Sequence, residues 1–252
     1  MFWFNRNPGL ALPLVAIQYS EVLLIFTFNT AAVLNTNPPS NIINCRLYCD
    51  YVFLDADERR IFGQSMHEYL IEQLQYYEHL VKAGTTYFPA KLEFNLPVKE
   101  LIWCNSSSNI GNYGIFDYSL DANGSEHSFS NGKLTFGSGD RFMERDADYF
   151  YLVQNYQRHT HGPRTSKIHN TYDSEFNKLD TNPFRNFVYT YSFALEPENH
   201  QPSGSCNFSK ISGAQLQFKY PATTYDFTLK VFAVNYNVLK IGSGMVGLAY
   251  SN

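Results

Sequence analysis

Between Asn186 and Tyr220 the apolar residues fall at every second position, break at one sharp corner, and resume (NFVYTYSFALEPENHQPSGSCNFSKISGAQLQFKY). Phe187, Tyr189, Tyr191, Phe193 and Leu195 share one face; Leu216, Phe218 and Tyr220 share a face after the corner. A repeat of two is the period of a pleated strand that rests one face on a core. The opposite face, Val188, Thr190, Ser192 and Ala194, is small or β-branched, which suits packing between two sheets or beneath a neighbouring chain. Glu196-Pro197 stops the first run, and Pro202, Ser203 and Gly204 mark a polar loop. The stretch also holds His200 and Cys206, a pair that invites a catalytic reading.

Other stretches repeat the period. Leu92, Phe94, Leu96 and Val98 alternate with Lys91, Glu93, Asn95 and Pro97, the cleanest half-buried strand pattern, with Pro97 marking an edge or a strand end. Leu101–Cys104 continues it after a charged step. Strands are also expected over Leu14–Phe28, Cys45–Leu54, Lys133–Phe136, Tyr149–Tyr156, Phe187–Leu195 and Thr228–Leu239, and the Gly-rich close IGSGMVGLAYSN turns back into a sheet. One segment changes period. Asp55 can cap a helix with Glu58 three residues on, and a helix is expected over Asp57–Met66. Ile61, Phe62, Met66, Tyr69 or Leu70, Leu74, Tyr77 and Leu80 or Val81 could extend one helical stripe to Gly84, with a strand over Tyr69–Tyr76 as the alternative. The stretch Asn105–Ser130 is too rich in Ser, Asn and Gly to bury much, and Gln157–Arg185 is a long loop. Many strands, one short helix and long loops point to an all-β sandwich.

Composition narrows the function. The 252 residues carry a net charge of −4, and basic residues do not cluster except at Glu58-Arg59-Arg60, so a surface that tracks nucleic-acid phosphates is not indicated. The 19 Tyr and 21 Phe favour strands and interfaces. The N-terminus MFWFNRNPGL lacks the pattern of a signal peptide, and the longest apolar run, Val22–Phe28, falls far short of the ~20 residues that span a bilayer. On one strand Cys45 and Cys49 would lie about 13 Å apart at ~3.3 Å per residue. A disulfide needs Cα atoms within about 7 Å, so free thiols, with Cys104 and Cys206 beside them, are expected.

Several motifs could carry chemistry, and each has a plainer reading. His159 and His161, with His169, form the H-x-H pattern that in cupins feeds a metal. The acid such a site needs is replaced here by Arg164, Thr165, Ser166 and Lys167, which favours a solvated loop. Asp140, Glu144, Asp146 and Asp148 alternate with Arg141 and Arg145, which favours a salt-bridged turn over a glycosidase pair. Cys206 with His200 lacks an elbow or oxyanion loop. Gly242-Ser243-Gly244 is followed by no helix start, so it is weak as a phosphate cradle. Asn105, Asn123 and Asn207 open N-glycosylation triplets, which arise often in Asn/Ser-rich loops. No catalytic, cofactor or metal residue is assigned.

Five blocks carry a resemblance: RNPGLALPLVAIQYSEV (Arg6–Val22), YVFLDADERRIFGQSMHEYLIEQLQ (Tyr51–Gln75), PVKELIW (Pro97–Trp103), EPENHQPSGSCNFSKI (Glu196–Ile211) and NYNVLKIGSGMVGLAYSN (Asn235–Asn252). Together they resemble the major capsid proteins of nucleocytoplasmic large DNA viruses, which include iridoviruses, phycodnaviruses and mimivirus relatives. The resemblance implies a double jelly roll, trimeric pseudo-hexagonal capsomers tiling an icosahedral shell over an inner membrane, contacts with neighbouring capsomers and minor capsid proteins, and assembly in a cytoplasmic viral factory. It implies no cofactor, no catalytic residues, no transmembrane segment and no direct nucleic-acid contact. Residues 1–56 would be the last strands of a first, incomplete jelly roll, 57–84 a connecting helical segment and 85–252 an essentially complete second jelly roll. The chain would then be a C-terminal portion, a truncated gene copy or one product of a split gene. The competing readings are a cupin-like metal-dependent enzyme using His159, His161 and His169, and a carbohydrate-binding sandwich.

Strands in residues 2–54 without partners would leave ladder edges open. Expressed alone, the chain is expected to aggregate or to pair these strands in trans. A soluble, monodisperse monomer by light scattering would contradict this.

Overall fold

The period-two runs fold into two antiparallel sheets that share one aromatic core. The computed structural model describes residues 2–27, 45–107, 118–120, 126–160, 165–166, 184–185 and 187–250. In chain order the strands are β1 (His67–Val81), β2 (Tyr87–Lys91), β3 (Pro97–Ser106), β4 (Asn131–Phe136), β5 (Gly139–Asp140), β6 (Arg145–Asp146), β7 (Thr165–Ser166), β8 (Phe184–Arg185), β9 (Tyr189–Ser192), β10 (Cys206–Asn207), β11 (Ala214–Lys219), β12 (Phe227–Gly242) and β13 (Met245–Leu248). One sheet runs β1-β12-β3, with β9 and β10 sharing the far edge of β3 and β13 paired to β12. The other runs β2-β11-β4-β5, with β6 also on β4, and β7 pairs with β8 apart from both. The main strands β1, β2, β3, β4, β9, β11 and β12 alternate between the two sheets as the chain advances, the wiring of a jelly roll. The all-β jelly-roll sandwich expected from the sequence is the observed fold.

The chain divides into two compact units, Glu72–Tyr236 and the combination of Met1–Ile71 with Asn237–Ser251. The core of the first unit takes Leu101, Trp103, Leu229 and Val231 from one sheet and Ala90, Leu134, Leu216 and Phe218 from the other. At its centre Trp103 meets Phe150 edge-on at 5.1 Å, stacks on Tyr189 at 6.1 Å and tilts against Phe218 at 5.9 Å. Offset and edge-on geometries place positive ring edges against negative faces, which adds to the gain from burial.

In the second unit, Asp55 caps α1 (Ala56–Gln64) by accepting from the Glu58 amide at 3.0 Å. Ser65 ends it, donating from both N and Oγ to the Ile61 carbonyl. Ser243 and Gly244 join β12 to β13 with φ of +53° and +78°, the left-handed pair that a two-residue hairpin loop prefers. The Gly244 carbonyl accepts from the Tyr19 amide, and a Cβ on Gly244 would stand 2.5 Å from the Tyr19 ring.

Several expectations are corrected. Of the two readings left open after Met66, the strand holds and the helical stripe to Gly84 does not: the helix stops at Gln64 and His67–Val81, which includes Tyr69–Tyr76, is a strand, because pairing beside β12 outweighs a stripe that also reads as alternation. Tyr149–Tyr156 is not a strand. It forms a π-turn (Tyr149–Val153) leading into α2 (Gln154–Arg158), started by the Asp146 carboxylate accepting from the Tyr149 amide. Leu92, Phe94, Leu96 and Val98 are all buried, yet Leu92–Leu96 is a crossing between sheets rather than a strand. There the Gln75 and Ser209 side chains bond the Asn95 and Leu96 amides in place of a ladder, and Leu96 takes a φ of +65°. The stretch 105–130 buries more than its composition suggested, since Ser119, Ser128 and Phe129 are all inside. The described parts of Leu14–Phe28 and Cys45–Leu54 form no ladder: a 3-10 turn at Leu14–Ala16 is followed by chain outside any strand. Alternation sets the faces of a strand, but a strand also needs a ladder, and among the described residues these segments have no strand paired to them, the single bond from the Tyr19 amide to Gly244 aside. Ile25 and Phe53 are accordingly 85% and 92% exposed.

Trp103→Ala is expected to lower the unfolding free energy by roughly 3–5 kcal/mol. Urea denaturation followed by near-UV circular dichroism checks this; a loss under about 1 kcal/mol would mean that the core does not centre on Trp103.

Candidate functional site

β3 carries one residue more than its neighbour can pair. Glu100 lies opposite Val234 and Val98 opposite Asn235, so Lys99 is the extra residue of a β-bulge. The bulge switches the inward set from even to odd numbers: Leu96 and Val98 are buried before it, Leu101 and Trp103 after it. Its carbonyl accepts from the amides of both Phe193 (2.8 Å) and Ala194 (3.1 Å), which bends the chain out of β9 into the loop 193–205. Its ammonium, with the side chain 3% exposed, donates to Glu72 Oε1 at 2.6 Å and to the Pro197 carbonyl at 2.6 Å. The loop is thus pinned to β3 and, through Glu72, to β1.

Within the loop, Ser203 Oγ accepts from the Glu196 amide at 2.8 Å. Gly204 sits at a φ of +146°, and a Cβ there would lie 2.8 Å from the Phe193 carbonyl oxygen, so only glycine fits without displacement. A second anchor comes from the end of α2. His159 Nε2 lies 3.0 Å from Glu100 Oε2, with both side chains nearly buried. The Thr160 amide and hydroxyl both donate to Glu198 of the loop. Burial holds the His159 pKa below the usual imidazole value; Glu198 opposes this and Lys99 adds to it.

The residues singled out in the sequence are dispersed. His159 is engaged by Glu100, and His161 and His169 lie outside the described residues. Among the described residues no group of three His, Cys, Asp or Glu side chains is placed to hold a metal ion. Asp140 pairs with Lys133, Glu144 with Lys219, Asp146 starts the π-turn and Asp148 meets His127. Cys206 lies in β10 opposite Val98, and burial pushes its thiol up, the reverse of an activated nucleophile. Cys104 is buried with its thiol pushed up to about 11 by desolvation, and Cys45 and Cys49 are exposed free thiols. Gly242-Ser243-Gly244 is a hairpin turn. Of the three glycosylation triplets, Asn105 is fully buried, donating to Ser128 Oγ at 2.7 Å and accepting from the Tyr220 hydroxyl at 3.1 Å, which leaves no room for a glycan. Asn207 is exposed, with Oδ1 accepting from the Ser209 amide, and Asn123 lies outside the described residues.

One arrangement had no sequence signal. Asp148 Oδ1 lies 2.9 Å from His127 Nε2, and His127 Nδ1 lies 3.2 Å from the Tyr189 hydroxyl, which also meets Ser128 N and Oγ. An acid, an imidazole and a hydroxyl in line have the outline of a nucleophilic triad. Tyr189 and Ser128 are fully buried, and desolvation pushes the phenol pKa far up, so neither presents a nucleophile to a substrate. The four positions 127, 128, 148 and 189 are too scattered for spacing to reveal.

The dominant shaped features are therefore a rigid sandwich and a pinned loop, and comparison with known proteins agrees. The family model for the large eukaryotic DNA virus major capsid protein matches residues 58–182 and 174–247, and that for the major capsid protein N-terminus matches residues 1–55. The chain is 45% identical to the major capsid protein of Pyramimonas orientalis virus over 100% of its own length and 60% of the relative's. It is 35% identical to that of Paramecium bursaria Chlorella virus 1, over 100% and 65% respectively. The chain thus spans less than two thirds of the length of these relatives. A solved structure of the PBCV-1 virus capsid superposes with a TM-score of 0.70 at 30% identity, over 100% of this chain and 69% of that one. The Faustovirus major capsid protein, at 13% identity and a TM-score of 0.50 over 75% of this chain and 36% of that one, shares the fold.

Gly204→Ala is expected to cost roughly 1–3 kcal/mol through backbone strain and the clash with Phe193. His200→Ala should stay within about 0.5 kcal/mol of the parent. Thermal denaturation of the two variants side by side checks this, and equal losses would contradict the assignment of Gly204.

Proposed function

The chain belongs to the family of large eukaryotic DNA virus major capsid proteins, and on that premise we propose that it builds shell, as a subunit of trimeric, pseudo-hexagonal capsomers in an icosahedral virion. The observation that carries this reading is the jelly-roll sandwich itself, shared at a TM-score of 0.70 with a protein of an assembled capsid. A shell subunit needs rigid layers, broad lateral surfaces and no activated groups. The aromatic core supplies the first, and the buried, paired or upshifted side chains described above agree with the last. A threefold contact between copies is heterologous and closes on itself.

The partners are two further copies, neighbouring capsomers and minor capsid proteins, in a shell assembled in the host cytoplasm with an inner membrane beneath. Genome contact is not part of the proposal, in keeping with the net charge of −4. No helix among the described residues is long and apolar enough to cross a membrane. Residues 1–56 are proposed as strands of a first jelly roll, a reading supported by the N-terminal family match to residues 1–55. In that division the connector 57–84 comprises α1 and also β1, which lies in the sheet of the second jelly roll.

Chemical cross-linking of the chain within purified virus particles, followed by denaturing electrophoresis, tests the assembly. The expected result is a ladder that strengthens up to three times the 29.0 kDa chain mass before larger species form. Absence of the chain from particles, or a ladder that stops at two, would overturn the proposal.

A further inference from the structure

The loop 193–205 is held by two kinds of anchor. Lys99 bonds Glu72 and the Pro197 carbonyl. The second anchor runs through an imidazole, the side chain that titrates nearest neutral pH. His159 leaves α2 with Nε2 on Glu100, and the next residue, Thr160, holds Glu198 of the loop by two hydrogen bonds. We propose that His159 is an acid-operated latch: neutral imidazole fastens the end of α2 to β3 and thereby the loop 193–205, and protonation in mild acid releases it.

The geometry carries this through hydrogen-bond capacity. Glu100 accepts at Nε2, so the neutral ring carries its proton there. Nδ1 is then a bare acceptor, buried and without a partner among the described residues. Protonation converts Nδ1 into a donor that, among the described residues, meets no acceptor. The charged ring satisfies its second donor by turning outward, and Thr160 moves with it, away from Glu198. Among the described residues, the charged groups facing the ring are Glu100 and Lys99 from β3 and Glu198 from the loop, with Arg158 beside it on α2 and Glu72 of β1 behind Lys99. The carboxylates favour the imidazolium, while Lys99 and burial disfavour it, and burial is the largest effect.

The sign follows. A histidine whose pKa is lower in the fold than in the open chain binds its proton more readily when released. The fastening is complete above the ordinary imidazole value near 6.5 and is lost as pH falls through the range just below it. His79 on β1 is lowered by burial too, so global stability would report both residues, and the readout must be local. The inference stands on the fold and does not depend on the shell-building reading.

Hydrogen–deuterium exchange of the full chain, corrected for the intrinsic pH dependence of amide exchange, tests it. Opening of the amides in 195–204 is expected to rise about threefold or more between pH 7.5 and 5.5. In His159→Gln, whose side-chain amide can donate to Glu100 and does not titrate, the same amides should show no rise. A flat profile in the parent, or an equal rise in His159→Gln, overturns the latch. Should that variant fail to fold, NMR titration of the parent decides: the His159 ring midpoint must lie below 6.5 and coincide with loop opening, and any other outcome overturns the proposal.

Discussion

Burying an ammonium is costly unless it is paired and hydrogen-bonded. Lys99 gains its partner Glu72 and its bond to the Pro197 carbonyl only because β3 bulges at its position. The bulge turns the side chain toward Glu72 and the Pro197 carbonyl, presents the backbone carbonyl to two amides from the end of β9, and shifts the inward face so that Leu101 and Trp103 enter the core. Without the extra residue, the even-numbered face would continue past Val98, and Ile102 and Cys104 would occupy the positions of Leu101 and Trp103. Core, loop and sheet edge are therefore set by one register event.

The remainder of the sandwich is held by rings. Phe129, Phe150, Phe187, Tyr189 and Phe218 surround Trp103 or one another at centroid distances within the 4.5–7 Å range where aromatic pairs attract. Rings have few rotatable bonds, so fixing them in a core loses little entropy for the area buried. A chain with 40 Phe and Tyr residues can thus build a stiff body with few charged contacts inside it.

Much of this was legible in the sequence. Phe187, Tyr189 and Tyr191 of the first face and Leu216, Phe218 and Tyr220 of the later one are buried as their alternation requires, whereas Leu195 of the first face is 62% exposed beyond the end of β9, and Asp55 caps its helix. The charged step Lys99-Glu100, visible as an interruption, is the bulge. What was illegible depends on distant partners. Tyr149–Tyr156 alternates well enough for a strand but is captured by a local cap at Asp146. Leu92–Leu96 alternates and buries Leu92, Phe94 and Leu96, yet the Asn95 and Leu96 amides bond the Gln75 and Ser209 side chains rather than a neighbouring strand. The line from Asp148 through His127 to Tyr189 joins residues from three segments, and no spacing rule anticipates it.

Ser128, Tyr189, Asn105 and Tyr220 form one chain of hydrogen bonds crossing the core from β3 and β9 to the segments flanking β4 and β11. Apolar rings alone would let two facing sheets slide against each other with little change in buried area. A polar chain admits no such freedom, because a shift of one residue pair would strand every donor and acceptor in it. It works as a dowel between the two layers, setting the one alignment in which they fit. Its members can therefore change only together, and a lone hydrophobic replacement at Asn105 would keep the core oily while surrendering its unique alignment.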